Sequence, residues 1–270
     1  MIRVAVGALR AATLLHRAHS NAIYACTFVS KRRRDERFPL VPFTSAPIAL
    51  GAALALTVLV LLILFVDPLV PSWTSTLSRS FSTPFKITTD LAQSQWVLLA
   101  SGLVLLLALF ADEVCPRRLP TRADRSAAAV YVFVAVSVPG ITAVLVKYAV
   151  GRARPKLFEA EGVLAFRPIV GGPEWASFPS GHATTAAALA VALALLLPRY
   201  RFIFFVLGLW LAGTRLFTRS HYPSDIYAGC LLGAALAWLV ARAFARHRLV
   251  FRFAPEGRLV RAHTTLNRRE

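Results

Sequence analysis

Residues 47–66 read PIALGAALALTVLVLLILFV, with no charged side chain among them. A helix needs roughly 20 apolar residues to cross the ~30 Å hydrocarbon core of a bilayer. Inside that core only a helix or a closed barrel satisfies its own backbone. Working outward, five further apolar runs stand at about 95–111, 126–146, 181–197, 202–217 and 224–241. The fold class is therefore read as all-α: a polytopic membrane protein of six transmembrane helices. The runs at 95–111, 181–197 and 202–217 are short for a bilayer, which is tolerable where their ends carry working polar groups. Pro139-Gly140 is expected to kink the third run. Composition agrees, since the 270 residues are 57% hydrophobic and 16% charged, whereas a soluble domain carries about a quarter charged residues.

This pattern divides the chain into a basic arm at 1–46, a six-span unit at 47–241 and a basic tail at 242–270. The net charge of +18 invites a nucleic-acid partner, but the basic residues flank the apolar runs and form no single stripe. With an even number of spans and both termini on one side, 22 of the 31 Lys and Arg share that side. The positive-inside rule makes it the cytoplasmic one. The opposite loops then face outward, into the periplasm if the membrane is a bacterial inner membrane. In the arm, Arg3, Arg10 and Arg17 recur every seven residues and share one face of a helix. An interfacial helix and a loosely ordered basic tail both fit, with an arginine-rich targeting peptide as a third reading. Cys26, Cys115 and Cys230 are widely spaced and odd in number, which gives no disulfide or zinc framework.

Three segments carry chemistry. Lys147-Tyr-Ala-Val-Gly-Arg-Ala-Arg154-Pro155 leaves the third run. Cations at a membrane boundary are costly, and an anionic ligand is one reason to keep them there, since guanidinium forks suit phosphate oxygens. Snorkelling to lipid headgroups is the plainer explanation of this segment alone. Phe178-Pro179-Ser180-Gly181-His182 opens the fourth run with helix-start residues, and a helix start is an anion site. Thr214-Arg215, five residues, then His221-Tyr-Pro-Ser-Asp225 joins the fifth and sixth runs. If the helix extends back over this turn, His221 and Asp225 lie on one face. The carboxylate then fixes the imidazole tautomer and leaves the other nitrogen free, as a nucleophile requires.

In this order and spacing the three segments resemble the type-2 phosphatidic acid phosphatases, membrane lipid phosphatases related to vanadium haloperoxidases. The usual Ser-Arg of the third motif is Thr214-Arg215 here, which keeps the hydroxyl. The resemblance implies phosphate binding by Lys147, Arg154 and Arg215, with Ser180 and the Gly181 N–H assisting. It implies attack on phosphorus by His221, orientation of His221 by Asp225, and protonation of the leaving oxygen by His182. No metal ion or other cofactor is implied, and no Asp/Glu cluster suits Mg²⁺.

The activity expected is hydrolysis of a lipid phosphate or diphosphate. Undecaprenyl diphosphate, phosphatidylglycerophosphate, phosphatidate and lipid A 1-phosphate are the candidates, with a diphosphate or lipid A type favoured. A lipid-to-lipid phosphotransferase on the same scaffold is the alternative. A transporter fits less well because the polar residues gather at one membrane face. A haloperoxidase fits less well because those enzymes are soluble. The loop 156–175 is expected to shape headgroup access.

Overall fold

A computed structural model describes residues 35–41, 46–90, 93–110 and 119–262, with scattered positions between 12 and 27. Arg3, Arg10, Arg17, Cys26 and Cys115 lie outside the described residues, so the readings of the basic arm are not met by structure.

The chain is mostly helical. Helix α1 (Ala46–Leu61) continues through a π turn (Leu62–Val66) and a 3₁₀ turn (Asp67–Leu69) into Val70–Ser75. Then come α2 (Arg79–Asp90), α3 (Ser94–Phe110), α4 (Leu119–Val150), α5 (Gly181–Leu196), α6 (Arg201–Phe217) and α7 (Pro223–Arg246). Among the described residues, four helical stretches are long and apolar enough to cross a membrane: Ala46–Ser75, Ala127–Val150, Pro198–Phe217 and Pro223–Arg246. The apolar helices Gln95–Leu107 and Gly181–Leu196 are shorter, so four spans and not six meet that length. The helix α4 continues unbroken through Pro139.

Helix α5 is the hub, packed against α4, α6 and α7. Its Ala183, Thr184, Ala186, Ala188, Ala190, Ala192 and Ala194 are all buried. A helix apolar on every side belongs in an interior, and small side chains let neighbouring backbones close in. The crossing with α7 shows how close: a Cβ added at Gly233 would sit 2.2 Å from the Thr184 carbonyl oxygen. By contrast, Ala46–Leu61 buries no residue, and its exposed leucines form a surface suited to lipid.

Two features differ from the sequence reading. Helix α2 lies between the first two apolar runs and packs its aromatic rings on α6. Phe85 stacks on Phe217 at 4.4 Å, and Phe81 meets Phe217 edge-on at 6.0 Å. The expected basic tail is largely structured, and its strands make the fold not purely α. α7 runs to Arg246, and an antiparallel hairpin follows, β1 (Phe251–Phe253) paired with β2 (Leu259–Arg261). Phe251 and Phe253 are buried in a cluster with Tyr131, Leu196, Val240 and Ala241. Alternation explains the strand, since Phe251 and Phe253 point inward while Arg252 faces solvent. The segment before α1 is tied to this end. The Arg242 guanidinium donates to the Leu40 carbonyl at 2.9 Å and to the Pro39 carbonyl, and Asp35 N–H donates to the Arg246 carbonyl at 2.7 Å.

Candidate active site

The opposite end of α7 is where the three motif segments meet. At about 1.5 Å per residue the 24-residue α7 separates that end from the hairpin by roughly 36 Å.

After α4 the chain turns sharply at Gly151, whose φ is +61°. A Cβ there would lie 2.2 Å from the Arg167 carbonyl oxygen, so only glycine fits this turn. The turn leaves Lys147 and Arg154 within electrostatic reach of each other. Arg154 is braced by its Nε, 3.0 Å from the Pro173 carbonyl, and by its N–H on the Glu174 carbonyl at 2.9 Å. Ser180, after a cis Phe178-Pro179 bond, caps α5, with its Oγ accepting from Ala183 N–H. This is the helix start expected from the sequence. The Ser180 N–H donates to the Asp225 carbonyl at 2.9 Å, which fastens the α5 start to the α7 start. Arg215, in the last turn of α6, donates to Thr89 Oγ1 of α2 at 3.4 Å.

Arg215, His221, Lys147 and Arg154 all lie within electrostatic reach of His182, and Asp225 acts on both Lys147 and His221. The structure thus gathers all the predicted charged and imidazole groups at one mouth. Gly181 and His182 also line a cavity of about 520 Å³, walled by Gln93, Gln95 and Leu98 before and in α3 and by Val136 to Leu145 of α4. Most of that lining is apolar.

The His221–Asp225 pair differs from expectation in its geometry. α7 begins at Pro223, so the two residues do not share a helical face. Asp225 instead reaches back over the helix start, where its Oδ2 accepts from Tyr222 N–H at 2.9 Å and from Ser177 Oγ at 2.6 Å. His221 Nδ1 lies 3.7 Å from the same oxygen. That is longer than a hydrogen bond, and Nδ1 has no hydrogen-bond partner among the described residues, with Asp225 as its facing carboxylate. Both side chains are buried.

Sequence reasoning missed the support beneath this pair. Arg152 is fully buried and donates from Nη1 to Asp225 Oδ1 at 2.8 Å and to Ser224 Oγ at 2.7 Å. From Nη2 it donates to Asp67 Oδ2 at 2.8 Å, and its guanidinium carbon stands 4.4 Å over the Tyr222 ring. Asp67 also accepts from Ser224 N–H at 3.1 Å and from the Ser224 hydroxyl. Arg152, a cation of the first motif segment, is thus an internal anchor. Among the described residues no three His, Cys, Asp or Glu side chains gather to hold a metal ion.

Burial pushes the His221 pKa down to about 4, against the opposing pull of Asp225. The ordinary histidine value is about 6.5. The folded imidazole is therefore neutral at pH 7, and the folded state loses stability as pH falls from about 6.5 to about 4. Thermal unfolding in detergent at pH 7 and pH 4.5 should show that loss, and His221→Asn should reduce it.

The family model described as PAP2 superfamily matches residues 127–249. A lipid A 1-phosphatase of Rhizobium johnstonii is 46% identical over 127 residues, 47% of this chain and 52% of that protein. A protein of the same name from Rhizobium etli is 45% identical over 127 residues, 55% of its length. The chain thus spans about half the length of these two relatives. A decaprenylphosphoryl-5-phosphoribose phosphatase of Mycobacterium tuberculosis is 38% identical over 138 residues, 50% of this chain and 68% of that protein.

Proposed function

The chain belongs to the PAP2 superfamily, and from that premise we propose that it is an integral membrane phosphatase acting on a phosphorylated lipid. The observation that carries this reading is the convergence of Lys147, Arg154, Arg215, His182 and His221 at one mouth, with a fixed carboxylate behind His221. Three cations neutralise the phosphoryl oxygens, which is most of what phosphoryl transfer asks of a protein. Ser180 and the Gly181 N–H add the donors of a helix start.

His221 Nε2 attacks phosphorus in line while the bond from phosphorus to the lipid oxygen breaks, and His182 donates a proton to that oxygen. Water then attacks the phosphohistidine. Its proton goes to His182, the phosphorus–nitrogen bond breaks, and phosphate leaves. Asp225 orients His221 throughout. The apolar cavity beside His182 suits the lipid body of the leaving group. The shorter helices α3 and α5 complete six spans, with the basic arm and the hairpin on the cytoplasmic side and the site facing outward.

Among lipids, the 1-phosphate of lipid A is the first candidate, since the two rhizobial relatives carry that name. The test is phosphate release by purified protein in detergent from lipid A, undecaprenyl diphosphate, phosphatidylglycerophosphate and phosphatidate, with EDTA present. Release is expected to survive EDTA and to fall with vanadate, which mimics five-coordinate phosphorus. A strict metal requirement, or no release from any of the four, would count against the reading.

A further inference from the structure

Asp67 sits at the far end of the α1 stretch, outside the residues the family model matches, and is fully buried. We propose that Asp67 is a positioning residue that withholds half of the Arg152 fork from Asp225, leaving Asp225 Oδ2 turned toward His221. This rests on the functional reading above only for its catalytic consequence.

The geometry is that of a divided fork. Arginine meets a lone carboxylate by preference with two parallel bonds, one to each oxygen. Here the two ends of the guanidinium go to different carboxylates, Nη1 to Asp225 Oδ1 and Nη2 to Asp67 Oδ2, each at 2.8 Å. Asp225 Oδ2 is thereby left for Ser177 Oγ, Tyr222 N–H and the side facing His221 Nδ1. Ser224 locks the division by accepting from Arg152 and donating to Asp67. The Tyr222 ring under the guanidinium and the Val163 carbonyl on Nε at 3.3 Å keep it from turning.

Without the Asp67 charge, Arg152 has one buried carboxylate left and can take both of its oxygens. Oδ2 then turns away from His221. The other charged or titratable groups acting on His221 are Lys147 and Arg215, both cationic, and neighbouring His182. None of them accepts a proton-bearing Nδ1 as a carboxylate does. The imidazole therefore loses its reason to carry the proton on Nδ1 and to present a bare Nε2.

The experiment is nitrogen-15 NMR of the full-length protein in detergent, with labelled histidine, at pH 7. The His221 signals are assigned by their loss in His221→Ala. The wild type should show the Nδ1–H tautomer. Asp67→Asn should show a mixture with Nε2–H, and its kcat for lipid phosphate release should fall at least tenfold with KM changed less than about twofold. Ser224→Ala keeps every charge and should move both readouts the same way by less.

An unchanged tautomer in folded Asp67→Asn overturns the inference, whatever the activity. If Asp67→Asn does not fold, an unchanged tautomer in Ser224→Ala overturns it. If the wild type releases no phosphate from any lipid while the tautomer still follows Asp67, the functional reading falls and the positioning stands.

Discussion

Replacing His221 with alanine should lower phosphate release by at least ~10³-fold, to the level of the detergent blank. The nucleophile and its base work as one unit, so losing the attacking nitrogen leaves only binding and electrostatic stabilisation behind. Surrounding cations cannot substitute, because none carries a free lone pair at neutral pH. The imidazole is buried, so the same variant should bind a lipid phosphate with nearly unchanged affinity. It should also accumulate no acid-labile phosphoprotein in rapid-quench experiments, where the wild type does. More than trace turnover in folded His221→Ala would remove His221 from the nucleophile's role.

The second large effect is on stability. Arg152→Ala leaves Asp67 and Asp225 buried, close together and without their shared cation. Breaking a buried ion pair by removing one partner costs about 3–5 kcal/mol, and here two carboxylates lose one arginine. The thermal midpoint in detergent should drop by on the order of 10 °C at a few degrees per kcal/mol. Arg154→Ala is the matched control. Arg154 is only half-buried, and among the described residues its side chain bonds a backbone carbonyl and no carboxylate. It should melt close to the wild type and be impaired in substrate binding instead. Equal midpoints for the two variants would refute the anchoring role of Arg152.

The site was legible in the sequence to the extent that it is local. Ser180 precedes an apolar run and does cap α5; Pro223 follows His221 and does open α7. The six apolar runs correspond to the six apolar helices among the described residues, four of span length and two shorter, because length and the absence of charge are properties of a single segment. Pairing between distant segments was not legible. Asp67 is the sole charged residue between Arg37 and Arg79, and a lone carboxylate in an apolar stretch signals a buried partner. Nothing local says that the partner is Arg152 and not Lys147 or Arg154, which stand in the same motif. Helix α2 escaped because its apolar content is a stripe of Phe81 and Phe85 among polar residues, too weak for a span. The β hairpin did leave a trace, Phe251 and Phe253 alternating before Pro255-Glu256-Gly257, a period-2 pattern ended by turn residues. In a tail rich in arginine that pattern is outweighed by the charge.

The clasp between Arg242 and the segment before α1 spans 203 residues, and the bond from Ser224 to Asp67 spans 157. Protein synthesis runs from one end, so the α1 stretch is made carrying a carboxylate whose partners do not yet exist. Arg152 arrives 85 residues later and Ser224 only with α7. Contacts of such long separation close late, because the intervening chain must first be laid down and confined. His221 and Asp225 are made alongside Ser224, and Arg242 follows within α7. A chain cut off before α7 therefore lacks Ser224, Asp225 and Arg242, so both fastenings and the carboxylate beside His221 arrive together with that helix.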